Sequence, residues 1–402
     1  MIELVQGGGV TSPKGFVAGG TFAGLKTKED DTLDLGILIS ETPANVAATF
    51  TTNKVVSPSV TLSRQRASKG TARGVVANSG CANCCVGGPG LSDAVEMASL
   101  AANHAGCSDD DLLVCSTGMI GVELPMGLIR QNIGNIKLSA DGGPEFARAI
   151  MTTDTRPKEI AVAVDVDGRK IRLGGAVKGV GMIHPNMATM LAFVTTDASA
   201  EPALLQSALS EAVNASFNMI DVDGDQSTND AVLLLANGAA GGPPIEARSA
   251  AADAFEEALT YVCTELAKAV VRDGEGAQRV IEVVVDGADS LADARTAARE
   301  IASSLLVKAM VHGRDPNWGR IMMALGKSGI RLNESQIDIF INGIHIVHEG
   351  AAIPFLKEAV ISAMTVQEVK FRVSLNLGGE AATAWGCDLT EEYVTFNSAY
   401  ST

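Results

Sequence analysis

The feature that most constrains this chain is its glycine-punctuated alternation of short apolar runs with amphipathic ones, since 42 glycines are spread through 402 residues. Apolar runs of a few residues between turn signals read as strands, and longer runs with helical periodicity read as helices. The alternation therefore predicts a mixed α/β fold. No segment recurs at a period of roughly 20 to 50 residues, so a solenoid or propeller is not expected. An apolar share of 46% suffices for two packed domains and is too ordinary for a disordered or fibrous chain.

The stretch Gly90–Gly106 shows the helical pattern. Ser92 can cap it, Val95, Met97, Ala98, Ala101, Ala102 and Ala105 recur at helical spacing, and Gly106 can end it. Further helices are predicted over Glu145–Met151, Ala203–Asn214, Ala251–Val271, Ser290–Met310 and Pro354–Met364. Strands are predicted over Leu112–Cys115, Ile160–Val166, Met190–Thr195, Val280–Val285, Ile337–Ile341 and Phe371–Leu375. The turn-rich loop Asn237–Pro244, reading NGAAGGPP, marks a soft boundary between two lobes.

Charge and cysteine content narrow the function classes. Thirty-one basic against 47 acidic side chains give a net charge of −16, which repels nucleic-acid phosphates and anionic membranes. Seven cysteines, an odd number spread unevenly, argue against a disulfide framework and for free thiols in a reducing compartment. The opening MIELVQGGGVTSPKG lacks the features of a signal peptide, and no run of about 18 uncharged apolar residues occurs. The expectation is a soluble cytoplasmic protein without nucleic-acid or membrane partners.

The segment Lys178–Asp197 reads KGVGMIHPNMATMLAFVTTD, a glycine-containing approach and a proline turn before a threonine that heads an apolar strand. Such a threonine can turn its hydroxyl on its own preceding carbonyl. Attack of Thr189 on the Ala188 carbonyl would convert the peptide to an ester, and hydrolysis would leave Thr189 with a free α-amine. That amine, with an unperturbed pKa of roughly 7.7 to 8.0, can take the hydroxyl proton, so nucleophile and base share one residue. Taken alone, Thr189 reads far more readily as a half-buried strand threonine.

The surrounding residues decide between these readings. Lys178, Gly181-Met182, Pro185 and Ala188-Thr189-Met190-Leu191 resemble the self-cleavage signature of the ornithine acetyltransferase (glutamate N-acetyltransferase) family. The resemblance runs from end to end and in order. It takes in Pro13–Phe16, Thr51–Asn53, Ser116–Gly121, Met151–Thr155, Arg272–Gly276, Asp315–Arg320 and Trp385–Thr390.

The resemblance implies a layered αββα sandwich of the self-processing aminopeptidase and ornithine acetyltransferase kind, with a second α/β lobe. It implies cleavage into an α chain, 1–188, and a β chain, 189–402, assembled as two of each. It assigns Thr189 as nucleophile, Thr117 and Gly118 as oxyanion hole, and Thr152, Lys178, Glu275, Asn397 and Thr402 as substrate contacts. Lys178 suits a carboxylate and Glu275 an ammonium. Because Thr402 ends the chain, a bulky tag there is expected to disturb the site. The implied reaction, a step in arginine biosynthesis, moves acetyl from N-acetylornithine to glutamate through acetyl-Thr189, with ping-pong kinetics. No metal or cofactor is implied; the family contains members that use acetyl-CoA to acetylate glutamate and members that do not. The competing readings are a self-processing amidase or aminopeptidase of similar fold, and a thiol-rich metal-binding module.

Several other features attract attention. Cys81-Ala82-Asn83-Cys84-Cys85 contains a C-x-x-C, but no second pair or paired histidines follow at zinc spacing, so buried free thiols are expected. The family usually has asparagine where Cys81 stands. Asp221–Asp225 opens like a calcium loop, yet Gln226 replaces the required glycine and Val232 the bidentate glutamate. His184 reads as a turn histidine, and Gly7–Gly9 lack the ending of a phosphate loop.

Overall fold

The structure is a computed structural model that describes residues 1–26, 32–184 and 190–399. Among the described residues, nine strands form one sheet and seven form another. The nine-stranded sheet folds over on itself. Its hinge is the 16-residue strand Leu35–Phe50, whose pairing with Thr71–Cys81 shifts register between Ile39 and Ala44. Glu41, Thr42 and Pro43 stand exposed in that interval, where a proline without an N–H costs no ladder hydrogen bond.

Period-two alternation builds the layers on either side of the bend. Leu191, Phe193, Leu233 and Leu235 of one half share a core with Val75, Ala77, Leu113 and Cys115 of the other. Phe146 closes it edge-on against Phe193, with ring centroids 5.0 Å apart. The alternate residues Ala192, Val194, Val232 and Leu234 pack beneath the helices Pro202–Ala215 and Ala250–Arg272. On the far side Ile37, Ile39, Val76, Leu112 and Val114 pack beneath the helix Pro89–Ala105. The result is the expected αββα sandwich, its two β layers being halves of one continuous sheet.

The seven-stranded sheet forms the second α/β lobe. Its central strands Val280–Ala288 and Glu380–Cys387 are covered by the helix Leu291–Ser303, and their apolar residues continue the core beneath Ala250–Arg272. The loop Asn237–Pro244 joins the strand Ala231–Ala236 to that long helix.

Two local expectations are corrected. Ser92 does not cap its helix, because the helix already begins at Pro89 and the Ser92 hydroxyl donates back to the Pro89 carbonyl at 2.7 Å. The predicted helix Ser290–Met310 is two helices, Leu291–Ser303 and Leu305–Gly313, broken where Ser304 is extended. The second carries the buried Lys308 inward to Asp221, 3.0 Å away, a tertiary ion pair that periodicity does not report. No helix among the described residues is long and apolar enough to cross a membrane.

Candidate active site

Strand register brings three distant segments to one end of the sandwich. Lys178, the last residue of the strand Arg169–Lys178, pairs with Leu191, and Leu191 pairs with Ala231. The strand Leu112–Met119 delivers Thr117 and Gly118 to the same end, where Lys178 Nζ donates to Thr117 Oγ1 at 3.1 Å. Thr117 and Gly118 lie within this continuous strand, and the turn follows at Ile120-Gly121. Gly118 lies at φ +125°, and a Cβ there would come within 2.2 Å of the Gly80 backbone, so parallel pairing with Thr71–Cys81 demands glycine.

These residues open on a cleft of about 350 Å³. Its opposite wall is Glu275, at the turn after the long helix. The Glu275 carboxylate accepts from Thr153 Oγ1 at 2.8 Å and from Asn397 Nδ2 at 2.9 Å. Asn397 comes from the C-terminal helix Glu391–Ala399, which also sends the Tyr393 hydroxyl to Asp223 at 3.1 Å. Gly181 leaves room for the carboxylate, since a Cβ there would lie 2.5 Å from Glu275 Oε2. Thr152 lines the cleft beside them.

Electrostatics set the character of the floor. Lys178 is 4% exposed, and burial pulls its ammonium below the usual lysine range against the pull of Asp154, Asp230 and Glu275. Asp154 accepts from the Gly179 and Thr152 amides at 2.9 and 3.0 Å and pairs with buried Lys158 at 2.6 Å. Burial opposes its charge, yet Lys158 and Lys178 hold it below the carboxylate range. Lys158 also pairs with Asp273 at 2.6 Å, so acid and base alternate through the floor. A buried pair of this kind survives only when every lone pair is satisfied.

Of the expected site residues, Thr117, Gly118, Thr152, Lys178, Glu275 and Asn397 line this cleft together. Thr189, Ala188 and Thr402 lie outside the described residues. Sequence reasoning missed Asp154, Lys158, Asp273, Asp223, Asp230 and Tyr393. The blocks Met151–Thr155 and Arg272–Gly276 already held Asp154 and Asp273, and a charged residue inside such a block was the usable signal. His184 Nδ1 lies 2.8 Å from Asp221 Oδ2. Cys81, Cys84, Cys85, Cys107, Cys115, Cys263 and Cys387 are free thiols. Among the described residues the side chains that gather in metal-binding geometry are Asp338, His345 and His348 of the second sheet, not the Cys81–Cys85 run.

Comparison with known proteins gives the same direction. A family model described as "ArgJ family" matches residues 17–402. Two relatives called "Arginine biosynthesis bifunctional protein ArgJ" are each 48% identical. That from Dehalococcoides mccartyi aligns over 100% of this chain and 99% of its own, and that from Symbiobacterium thermophilum over 98% and 99%. The crystal structure of an arginine biosynthesis bifunctional protein argJ chain from Bacillus halodurans, 42% identical, superposes with a TM-score of 0.51. That match covers 52% of this chain and 98% of the other. The family match over almost the whole length, together with these relatives, shows that the chain belongs to the ArgJ family.

Proposed function

We propose that the chain is an acyltransferase of arginine biosynthesis that cuts itself between Ala188 and Thr189 and carries acetyl from N-acetylornithine to glutamate on Thr189. The observation that carries this reading is the cleft in which Lys178, Thr117, Gly118 and Glu275 converge at the end of the strand that begins at Leu191. The Bacillus halodurans chain, matched almost completely by 52% of this one, is about half as long, as a separated fragment would be.

The chemistry follows from the charges. Glu275 attracts the side-chain ammonium of N-acetylornithine, and Lys178 attracts its carboxylate. The Thr189 oxygen attacks the acetyl carbonyl while the Thr189 amine takes its proton. The carbonyl oxygen gains charge facing the Thr117 hydroxyl and the Gly118 N–H, where each donor is worth about 3 kcal/mol. The C–N bond breaks, the proton passes to the departing ornithine amine, and glutamate enters the same cleft to attack the acetyl ester. Holding that amine at high effective molarity favours it over water. The α and β chains would assemble as two of each in the cytoplasm with no metal or cofactor, Thr152, Asn397 and Thr402 completing the substrate contacts. Acetyl-CoA is a further candidate donor.

Mass spectrometry tests the reading. Wild-type protein should give two fragments parted at residue 189, and N-acetylornithine without glutamate should add one acetyl group to Thr189. An active protein that stays whole, or ornithine release indifferent to glutamate, would refute it, the latter in favour of an amidase.

A further inference from the structure

Away from the cleft, we propose that Asp338, His345 and His348 form a binding site for a divalent transition-metal ion, with zinc as the type case, which clips together a hairpin of the second sheet. One ligand atom from each of the three lies within 4.8 Å of the others.

The backbone explains why these side chains meet on one face. The strand Asp338–Ile341 returns as Ile344–His348 through Asn342-Gly343, at φ +45° and +80°, the two-residue turn that an Asn-Gly pair favours. Alternation along the first strand buries Ile339 and Ile341 and leaves Asp338 and Phe340 on the outer face. In a regular strand His345 and His348, three apart, would point to opposite faces. Here Ile339 pairs with Val347 but Phe340 with His345, so the second strand carries one extra residue as a bulge. Ile346 and Val347 are consequently both buried, while His345 stacks on Phe340 and His348 meets Asp338.

Neighbours hold the ligands in place. The Asp338 carboxylate accepts from the Glu349 amide and from Asn376 Nδ2, each at 3.1 Å, and lies 2.8 Å from His348 Nδ1. The His345 ring lies 4.2 Å from that of Phe340, with 15° between their planes. Outer contacts of this kind orient a metal's ligands in advance.

His345 Nε2 carries the argument furthest. It is buried, has no hydrogen-bond partner among the described residues, and stands 3.7 Å from Asp338 Oδ1, beyond hydrogen-bond reach. An unpaired buried nitrogen is costly, and an ion bonded to it offsets that cost. Bonds of roughly 2.0 to 2.2 Å around tetrahedral zinc place neighbouring ligand atoms about 3.3 Å apart. The 3.7 Å and 2.8 Å spacings from Asp338 Oδ1 bracket that value, so an ion needs shifts of only about half an ångström. Two imidazoles and a carboxylate suit zinc and its first-row neighbours, whereas magnesium and calcium take oxygen sets and copper(I) takes sulfur. On binding, the His348 ring proton resides on Nε2, 4.0 Å from Glu349 Oε1, and Nδ1 gives its lone pair to the ion. Water fills the remaining position beside exposed His348.

Four strand steps, about 19 Å, separate Asp338–Ile341 from Ile220–Asp221, the strand that leads to Asp223 in the cleft. The ion is therefore a structural clip and takes no part in acyl transfer.

Full-length wild-type protein, stripped with a chelator and dialysed, should bind about one equivalent of Zn2+ in calorimetry and melt at a higher temperature with zinc than without. His348→Ala, which removes an exposed side chain, and Asp338→Asn should each weaken that binding at least about tenfold and abolish the rise in melting temperature. Whichever variant keeps the metal-free melting temperature of the wild type decides. No zinc uptake by the wild type at about a tenfold excess, or wild-type affinity in that variant, overturns the proposal. If neither variant stays folded, Co2+ on the wild type decides, because the free thiols elsewhere in the chain are the rival ligands. The first equivalent should give a spectrum of nitrogen and oxygen ligands, and a thiolate charge-transfer band at that equivalent overturns the proposal.

Discussion

The Lys178 ammonium donates to the Thr117 hydroxyl at 3.1 Å, inside a wall where both side chains are almost fully buried. A hydroxyl has one donor hydrogen and two acceptor lone pairs. Filling a lone pair from Lys178 leaves the Thr117 hydrogen free to face the cleft. The contact therefore orients a donor as well as joining two strands.

Thr117→Val tests that donor. The valine fits the same space but has no hydroxyl, so kcat for acetyl transfer should drop about 100- to 1000-fold. Thr117→Ser should keep most of the rate. Steady-state kinetics on all three enzymes checks this, and a valine enzyme at wild-type kcat contradicts the assignment.

Gly181→Ala tests the seat of Glu275. The new methyl would lie 2.5 Å from Glu275 Oε2, so the carboxylate must swing away from Thr153 and Asn397. KM for N-acetylornithine should rise about tenfold, roughly 1.4 kcal/mol, with a smaller change in kcat. Kinetics with varied donor and saturating glutamate separates the two.

Glu159 carries a pH signature outside the cleft. Its Oε1 is buried without a hydrogen-bond partner among the described residues, and burial, with Glu145 adding, pushes its carboxyl up to about 7. The folded state thus keeps a proton that the unfolded chain releases near the ordinary glutamate value. Stability must then fall as pH rises from that value to about 7, and level off above it. Glu159→Gln should melt like the wild type near pH 5 and gain about 1 kcal/mol near pH 8, after allowance for partial solvent access. Thermal melts at the two pH values check the sign.

Legibility varied with how local each cause was. The helix ending at Gly106 was readable because left-handed backbone at φ +69° is a local demand that glycine meets. The strand Leu191–Thr196 was readable one residue off, since turn and apolar run adjoin. The strand Leu35–Phe50 was not picked out, because Pro43 and polar neighbours interrupt its alternation and only pairing to partners on both sides holds it. The resemblance supplied Thr117, Lys178 and Glu275, but not the buried acids among them.

The sequence by itself determined the α/β class, most element positions and the family, all of which rest on short-range periodicity or ordered motifs. Tertiary structure alone decided that Lys158 pairs with Asp273, that Lys308 reaches Asp221, and that Asp230 sits against Met190. A charge written in a sequence looks the same whether solvated or buried. Only packing removes its water, and once that water is gone the available partners dictate where the side chain goes and which proton it holds.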